Sequence, residues 1–360
     1  MIGARLRLAR TAAGLSLRAL ADRLEGKVTA QAIGKYERDE MMPGSGVLLA
    51  LSKALNVAPD YLLSQRDLGL SGIEFRKASG AGAKEERMVR AKVIEKLERY
   101  LAIEEALGLP TAHWQSALGQ TEPITDLAET ETAAETLRTN WHLGVDPIGS
   151  ITEILEDHGV KVISLDLPIA VSGSKALARA ADGKPVAAVV INANHTGERQ
   201  RFTLAHELAH LILEHAPDLK LAAIERAMNR FAGAFLVHPV ELRRLAGTHR
   251  EELSLGELVE LKKHFRVSLQ CLVVRLGQTG VLSDASTSRH WQMLKDRGYL
   301  KPPYNEPAPV ETEESRRLHR LALRAVSEGA LSESKAAELL GISAGELDKW
   351  LDEGAHADAA

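Results

Sequence analysis

The chain has 360 residues and a net charge of −4; 45% of it is hydrophobic, 26% charged and only 4% aromatic. That length accommodates two or three domains, and the abundance of Ala, Leu, Glu and Arg favours helix over sheet. The single cysteine, Cys271, excludes a disulfide framework and a cysteine-based zinc cluster, so a metal would have to be held by His, Asp or Glu.

The opening "MIGARLRLAR" lacks the apolar stretch of a signal peptide, and no later run approaches the length of a membrane span. A cytoplasmic protein with no membrane partner is expected. Residues 1–66 read as about five short helices. Arg5–Ala13 stops at Gly14, Ser16 caps a helix with Leu17, Leu20, Ala21 and Leu24 at helical spacing, and Thr29 caps a third ending near Arg38. This segment holds ten Lys and Arg against six Asp and Glu, a net +4, which leaves −8 for the rest. A basic head on an acidic body fits nucleic-acid contact at the N-terminus.

The Gly, Ser and Ala content from Leu70 to Gly82 suggests a hinge or linker, followed by a long charged helix, Lys84 to Leu107. Two more helices are expected in "ETETAAETLRTNWHLG" and "PIGSITEILEDHG". A small sheet of about three strands follows between Val160 and Asn192, in short β-rich runs separated by turn residues. Thereafter the pattern is helical again. "KPPYNEPAPVETEE" reads as a connector to a final helical pair, Ser315–Glu353, best explained as two packed helices.

"RFTLAHELAHLILEH" places His206 and His210 four residues apart, hence on one face of a helix. Both imidazoles can bind one divalent ion, for which zinc is well suited and manganese is the alternative. Glu207 points to the side of that face, where it can serve as general base rather than ligand. The opposing reading is a core helix with two satisfied histidines. A third ligand separates the two, and Glu225 can complete a His, His, Glu set, with Asn229 on the same helical face to orient it. A solvated surface carboxylate is the alternative for Glu225. His195 could border the cleft, His215 reads as a surface residue continuing the metal helix, and His238 as a helix-end residue.

"INANHTGERQRFTLAHELAHLILEH" with "ERAMNRFAGAFLVHP" resembles the ImmA/IrrE-type metallopeptidases. The resemblance implies that His206, His210 and Glu225 are ligands and Glu207 the base. Met228 stands where that family usually has Ala, and His238 where Met is common. The likeness spans about residues 125–300. In the head, "LSLRALADRL" to "APDYLL" resembles the XRE (lambda-repressor-like) helix-turn-helix family, with Arg18 in place of the usual Gln and Asp39 in place of the glycine common after "YER". In such a motif the first residues of the later helix meet base edges. Thr29, Ala30 and Gln31 are the candidates here, with Gly34 and Lys35 further along; Arg18, Lys35 and Arg38 are candidates for phosphate contact. A helical module used only for protein contact is the alternative, and a homodimer is the natural expectation.

The expected fold is mainly α with a small β-sheet (α+β). Residues 1–66 are the helix-turn-helix domain, 67–124 a linker and long helix, 125–300 a zincin-like metallopeptidase domain, and 301–360 a C-terminal helical region. The resemblance implies a DNA-binding regulator whose zinc endopeptidase cleaves a protein substrate, a transcriptional repressor, in a stress or mobile-element response. Two alternatives stay open: an antitoxin-like repressor whose metal domain senses a signal or partner, and a peptidase that severs its own segment around Gly69–Gly82.

Overall fold

The computed structural model describes residues 2–63, 71–75, 83–109, 114, 118–119, 123–169, 171–179, 185–302 and 304–357. Two compact units result: Met1–His113, Ala176–Val186 and Ser315–Ala360 in the first, Trp114–Lys175 and Ala187–Glu314 in the second.

The first unit begins with five helices, α1 (Ile2–Ala12), α2 (Leu17–Arg23), α3 (Ala30–Glu37), α4 (Ser45–Leu55) and α5 (Pro59–Leu63). The two expected caps are present: Ser16 Oγ accepts from Ala19 N and Thr29 Oγ1 from Ala32 N, each satisfying an amide that the helix itself leaves without a partner. Leu6, Leu20, Ile33, Leu51 and Leu62 form the fully buried core. The segment read as a linker contains a short strand, β1 (Ser71–Phe75); residues 69–70 and 76–82 lie outside the described residues. The long helix α6 (Ala83–Ala106) packs against α1.

The second unit opens with α7 (Leu127–Asn140), started by a reciprocal capping box between Asp126 and Glu129, and α8 (Ile151–Asp157). Three strands follow along the chain, β2 (Val160–Leu165), β3 (Gly173–Arg179) and β4 (Pro185–Asn192), as expected between Val160 and Asn192, with residues 176–186 counted in the first unit. Within the first unit β1, a strand that the sequence did not announce, pairs antiparallel with β3, Ser71 opposite Arg179 and Phe75 opposite Ala176. β2 and β4 run parallel, pairing Val160 with Ala187 through Leu165 with Asn192. β4 is buried along nearly its whole length, which accounts for its unbroken apolar run; β3 alternates, as a strand with one covered face does. The rest of this unit is helical: α9 (Gly197–Ile212), α10 (Leu221–Leu236), α11 (Pro239–Ala246), α12 (Leu255–Phe265), α13 (Leu269–Gln278) and α14 (Asp284–Asp296).

Residues 304–314, expected to be a bare connector, pack into the second unit. Glu306 accepts from Lys262 Nζ and Leu269 N, Val310 N donates to Glu198, and Glu313 N donates to Gln200. Gly197 permits this approach: a Cβ there would stand 2.1 Å from the Glu311 carbonyl oxygen. Spacing alone carried no sign of the docking, because its bonds run from acidic side chains and backbone amides to residues 37 to 113 positions away. The tail then belongs to the first unit as three helices rather than the expected pair, α15 (Arg317–Ser327), α16 (Glu333–Leu340) and α17 (Ala344–Ala357). Gly329 and Gly341, at φ of 70° and 75°, end the first two. Leu321, Ala322, Ala325 and Leu339 share a core cluster with Tyr100 and Ile103 of α6.

Candidate functional site

Helix α9 buries Leu204, Ala205, Leu208, Ala209 and Ile212 and packs against α10, itself buried through Phe231, Ala232 and Phe235. The helix stops at Ile212, where Leu213 turns extended, so His215 is not its continuation. His215 forms instead a bridge with Ile124 and is exposed. α10 ends just ahead of His238-Pro239, as expected for residues preceding a proline. His238 is the buried N-cap of α11, accepting from Val240 N.

The apolar α9–α10 packing sets the polar edges of the two helices side by side. One donor atom each from His206, His210 and Glu225 lies within 4.8 Å of the others, all three residues half-buried. The two Nε2 atoms are 3.2 Å apart, and Glu225 oxygens stand 3.5 Å from His206 Nε2 and 3.8 Å from His210 Nε2. Two nitrogens each about 2.0–2.1 Å from one tetrahedral ion would stand about 3.3 Å apart, so the donor set fits a zinc-sized cation. Asn229 Oδ1 lies 2.9 Å from His206 Nδ1. An amide oxygen can only accept, so it holds the proton on Nδ1 and leaves the Nε2 lone pair facing the cluster. Asn229 thus meets His206 rather than Glu225, the partner expected from the shared helical face. Glu207 is buried, 6% exposed.

A groove of about 430 Å³ adjoins the cluster, lined by Lys175, His210, Leu213, His215 and Gly119 among others. Lys175 Nζ donates to the His210 carbonyl oxygen at 2.7 Å, satisfying a carbonyl of the last turn of α9. His195 does not line this groove. It is buried with Nε2 on the Ile169 carbonyl oxygen at 2.9 Å, and burial pushes its pKa below the usual histidine value.

Three polar residues at the entry to α9 were not legible as such. Lys262, fully buried, bridges Glu198 and Glu306. Arg201, equally buried, donates to the carbonyls of Ile148, Gly149 and Arg266 and to Glu313. Asn192, at the end of β4, holds the loop before β3 through the carbonyls of Pro168 and Val171 and the amide of Leu167.

In the head, Arg18, Thr29, Gln31, Lys35 and Arg38 are exposed and Ala30 is half-buried. Thr29 spends its hydroxyl oxygen on the cap of α3. Arg38 is held by Glu40 through two bonds of 2.6 and 2.9 Å, which raise its pKa and compete with a phosphate for the same guanidinium. Asp39, in the place where glycine is common, accepts from Gly3 N through its carboxylate at 2.9 Å.

Comparison with known families places two models on the chain, Helix-turn-helix over residues 6–62 and IrrE N-terminal-like domain, a peptidase family, over residues 155–277. No curated protein matches it. Among the described residues no helix is long and apolar enough to cross a membrane. The second match covers β2 to β4, α9 and α10, hence every residue of the cluster. The chain is a fusion of an XRE-type helix-turn-helix domain with an IrrE-like peptidase domain.

Proposed function

We propose that the protein is a DNA-binding regulator carrying a zinc-dependent endopeptidase, with His206, His210 and Glu225 holding the ion and Glu207 as general base. The observation that carries this reading is the convergence of those three donors within 4.8 Å beside a buried glutamate. A bound divalent ion supplies Lewis acidity, polarising the scissile carbonyl and making water more acidic. Asn229 keeps the His206 lone pair turned to the ion by holding the Nδ1 proton. Glu207 takes the proton of the attacking water at its carboxylate and delivers it to the departing amine, so that one water is consumed per peptide bond cleaved. The groove beside His210 accommodates the polypeptide. The substrate is a regulatory protein, a transcriptional repressor, cleaved in a stress or mobile-element response, and the head engages double-stranded DNA as a homodimer. Manganese is the alternative ion.

The test pairs wild type with Glu207→Gln, measuring bound zinc and the intact mass of the chain and of a co-incubated helix-turn-helix repressor. Equal zinc in both, with cleavage slowed by roughly 10²–10⁴-fold in the variant, is the expected result. Zinc in both with no cleavage by wild type would favour a metal domain that senses a signal or partner. Absence of zinc from both would remove the metal reading.

A further inference from the structure

The ligand cluster requires that α9 and α10 keep their mutual register to within about half an ångström. Their shared interface is largely apolar, and apolar burial is largely non-directional. One directional bond crosses it, between Asn229 Oδ1 and His206 Nδ1, and further ones hold the helix ends. On α10 the fully buried Arg138 supplies one, donating to the Phe235 carbonyl oxygen at 2.6 Å. On α9 the corresponding bonds gather at Arg201, five residues ahead of His206.

Arg201 has no exposed surface, and its guanidinium reaches acceptors from three separate segments: Ile148 and Gly149 before α8, Arg266 after α12, and Glu313 of the docked connector. Glu313 is committed in turn. Its carboxylate accepts from Ser150 Oγ at 3.0 Å and Thr152 N at 3.0 Å, and its own amide donates to Gln200 at 2.8 Å. A planar fork held at fixed acceptors resists both sliding and rotation of the helix that carries it, which a single-point lysine would not.

We propose that Arg201 and Glu313 form a positioning pair that sets the affinity of the metal cluster from outside it, so that the connector 304–314 is a working part of the peptidase rather than a tether. This rests on the reading of His206, His210 and Glu225 as metal ligands. It gives a buried charge pair a task beyond stability, since replacing such pairs by apolar residues often leaves stability unharmed.

The experiment titrates zinc against a competing chelator in the full-length chain stripped of metal, and records thermal unfolding of the same samples without metal. Glu313→Gln keeps the shape and one acceptor; Arg201→Lys keeps the charge and loses the fork. Glu241→Gln, on α11 and bonded to Arg244 and His264 rather than to Arg201 or Glu313, serves as a control for general destabilisation. Zinc dissociation constants raised about tenfold or more in the first two, with the control at the wild-type value, are expected. Wild-type affinity in a folded Glu313→Gln or Arg201→Lys protein would overturn the proposal, and so would an equal loss in the control. Should Arg201→Lys fail to fold, Glu313→Gln alone decides. A wild type that binds no zinc would refute the metal reading itself, a result distinct from a wild type that binds while the variants bind equally well.

Discussion

At the end of α3, Asp39 holds φ at 54°, a left-handed conformation that costs a side-chain-bearing residue roughly 1–2 kcal/mol. The bonds around it explain the conformation: Glu40 N reaches the Lys35 carbonyl oxygen and Asp39 N that of Tyr36, the two closures of a Schellman end. This is the position where XRE-type heads commonly carry glycine. Aspartate is tolerated because its carboxylate caps Gly3 N, and that use turns the charge towards α1. Asp39→Ala should lose the cap while keeping the strain and destabilise the protein by about 1 kcal/mol. Asp39→Gly should come close to wild type, because relief of strain offsets the lost cap. Urea unfolding of the two variants checks this, and an alanine variant as stable as the glycine one would contradict it. Next along, Glu40 occupies the guanidinium of Arg38. Glu40→Gln should free it, tighten DNA binding several-fold at low salt, and steepen the salt dependence by about one phosphate contact. Fluorescence anisotropy across a salt series on one duplex would show it; an unchanged slope would mean that Arg38 does not face the DNA backbone.

The elements differ in how openly the sequence displays them. Helices α2, α3, α9 and α10 were legible because a cap residue or an apolar period marks each of them, and because His206, Glu207 and His210 lie within one turn or so of a single helix. Glu225 and Asn229 could be offered from the sequence as a ligand and its neighbour on one helical face, but spacing left a surface carboxylate open, since the α9–α10 packing that brings them to the histidines is tertiary. The docking of residues 304–314 was illegible for a plainer reason: an acid- and proline-rich stretch reads as solvated unless its cationic partners are known, and Lys262 and Arg201 lie far away in sequence. Short α11 shows how such polar ties contribute. Glu241 is 4% exposed and its pKa is held down at about 2, chiefly by hydrogen bonds from Arg244, with His264 adding and burial opposing. Its folded value lies below the ordinary 4.5, so the unfolded chain takes up the proton first as the solution is acidified. The stabilisation is therefore complete above pH 4.5 and disappears as the pH falls towards 2. Glu241→Gln should lower stability by about 1–2 kcal/mol at pH 7, because the ties are charge-assisted though Arg244 is largely solvated. Melting curves of variant and wild type should converge near pH 2, and a gap that stays constant from pH 7 to 2 would refute the assignment.

At the scale of the whole molecule, the two units are each assembled from separated stretches of chain, with boundaries after residues 113, 175, 186 and 314. A helix-turn-helix head is often pictured as a bead on a flexible string, and a self-cleaving peptidase would then release it by cutting the string. Within the first unit the head is not free in that sense. α1 packs on α6, and Arg5 of α1 forms an ion pair with Glu98 of α6, each side chain only 11% exposed. The Arg5 guanidinium also lies 5.1 Å from the centre of the Tyr61 ring. Burial, with Glu98 nearby, pushes the Tyr61 hydroxyl up to about 12, so the phenol stays neutral beside the pair at physiological pH. Breaking a buried pair by removing one partner costs about 3–5 kcal/mol, and apolar packing along α1 adds to what must be undone. A cut between the head and α6 would thus leave the head docked on that helix, and self-cleavage would need a second event to change DNA binding. A protease site inserted at residues 76–80 tests this directly. After cleavage the two fragments should migrate together in gel filtration and still bind DNA as the intact chain does. Introducing Glu98→Lys, which sets two cations against each other, should let them separate. Fragments that part at once in the otherwise wild-type chain would show that the head is held by the covalent link alone and would restore self-cleavage as a sufficient switch.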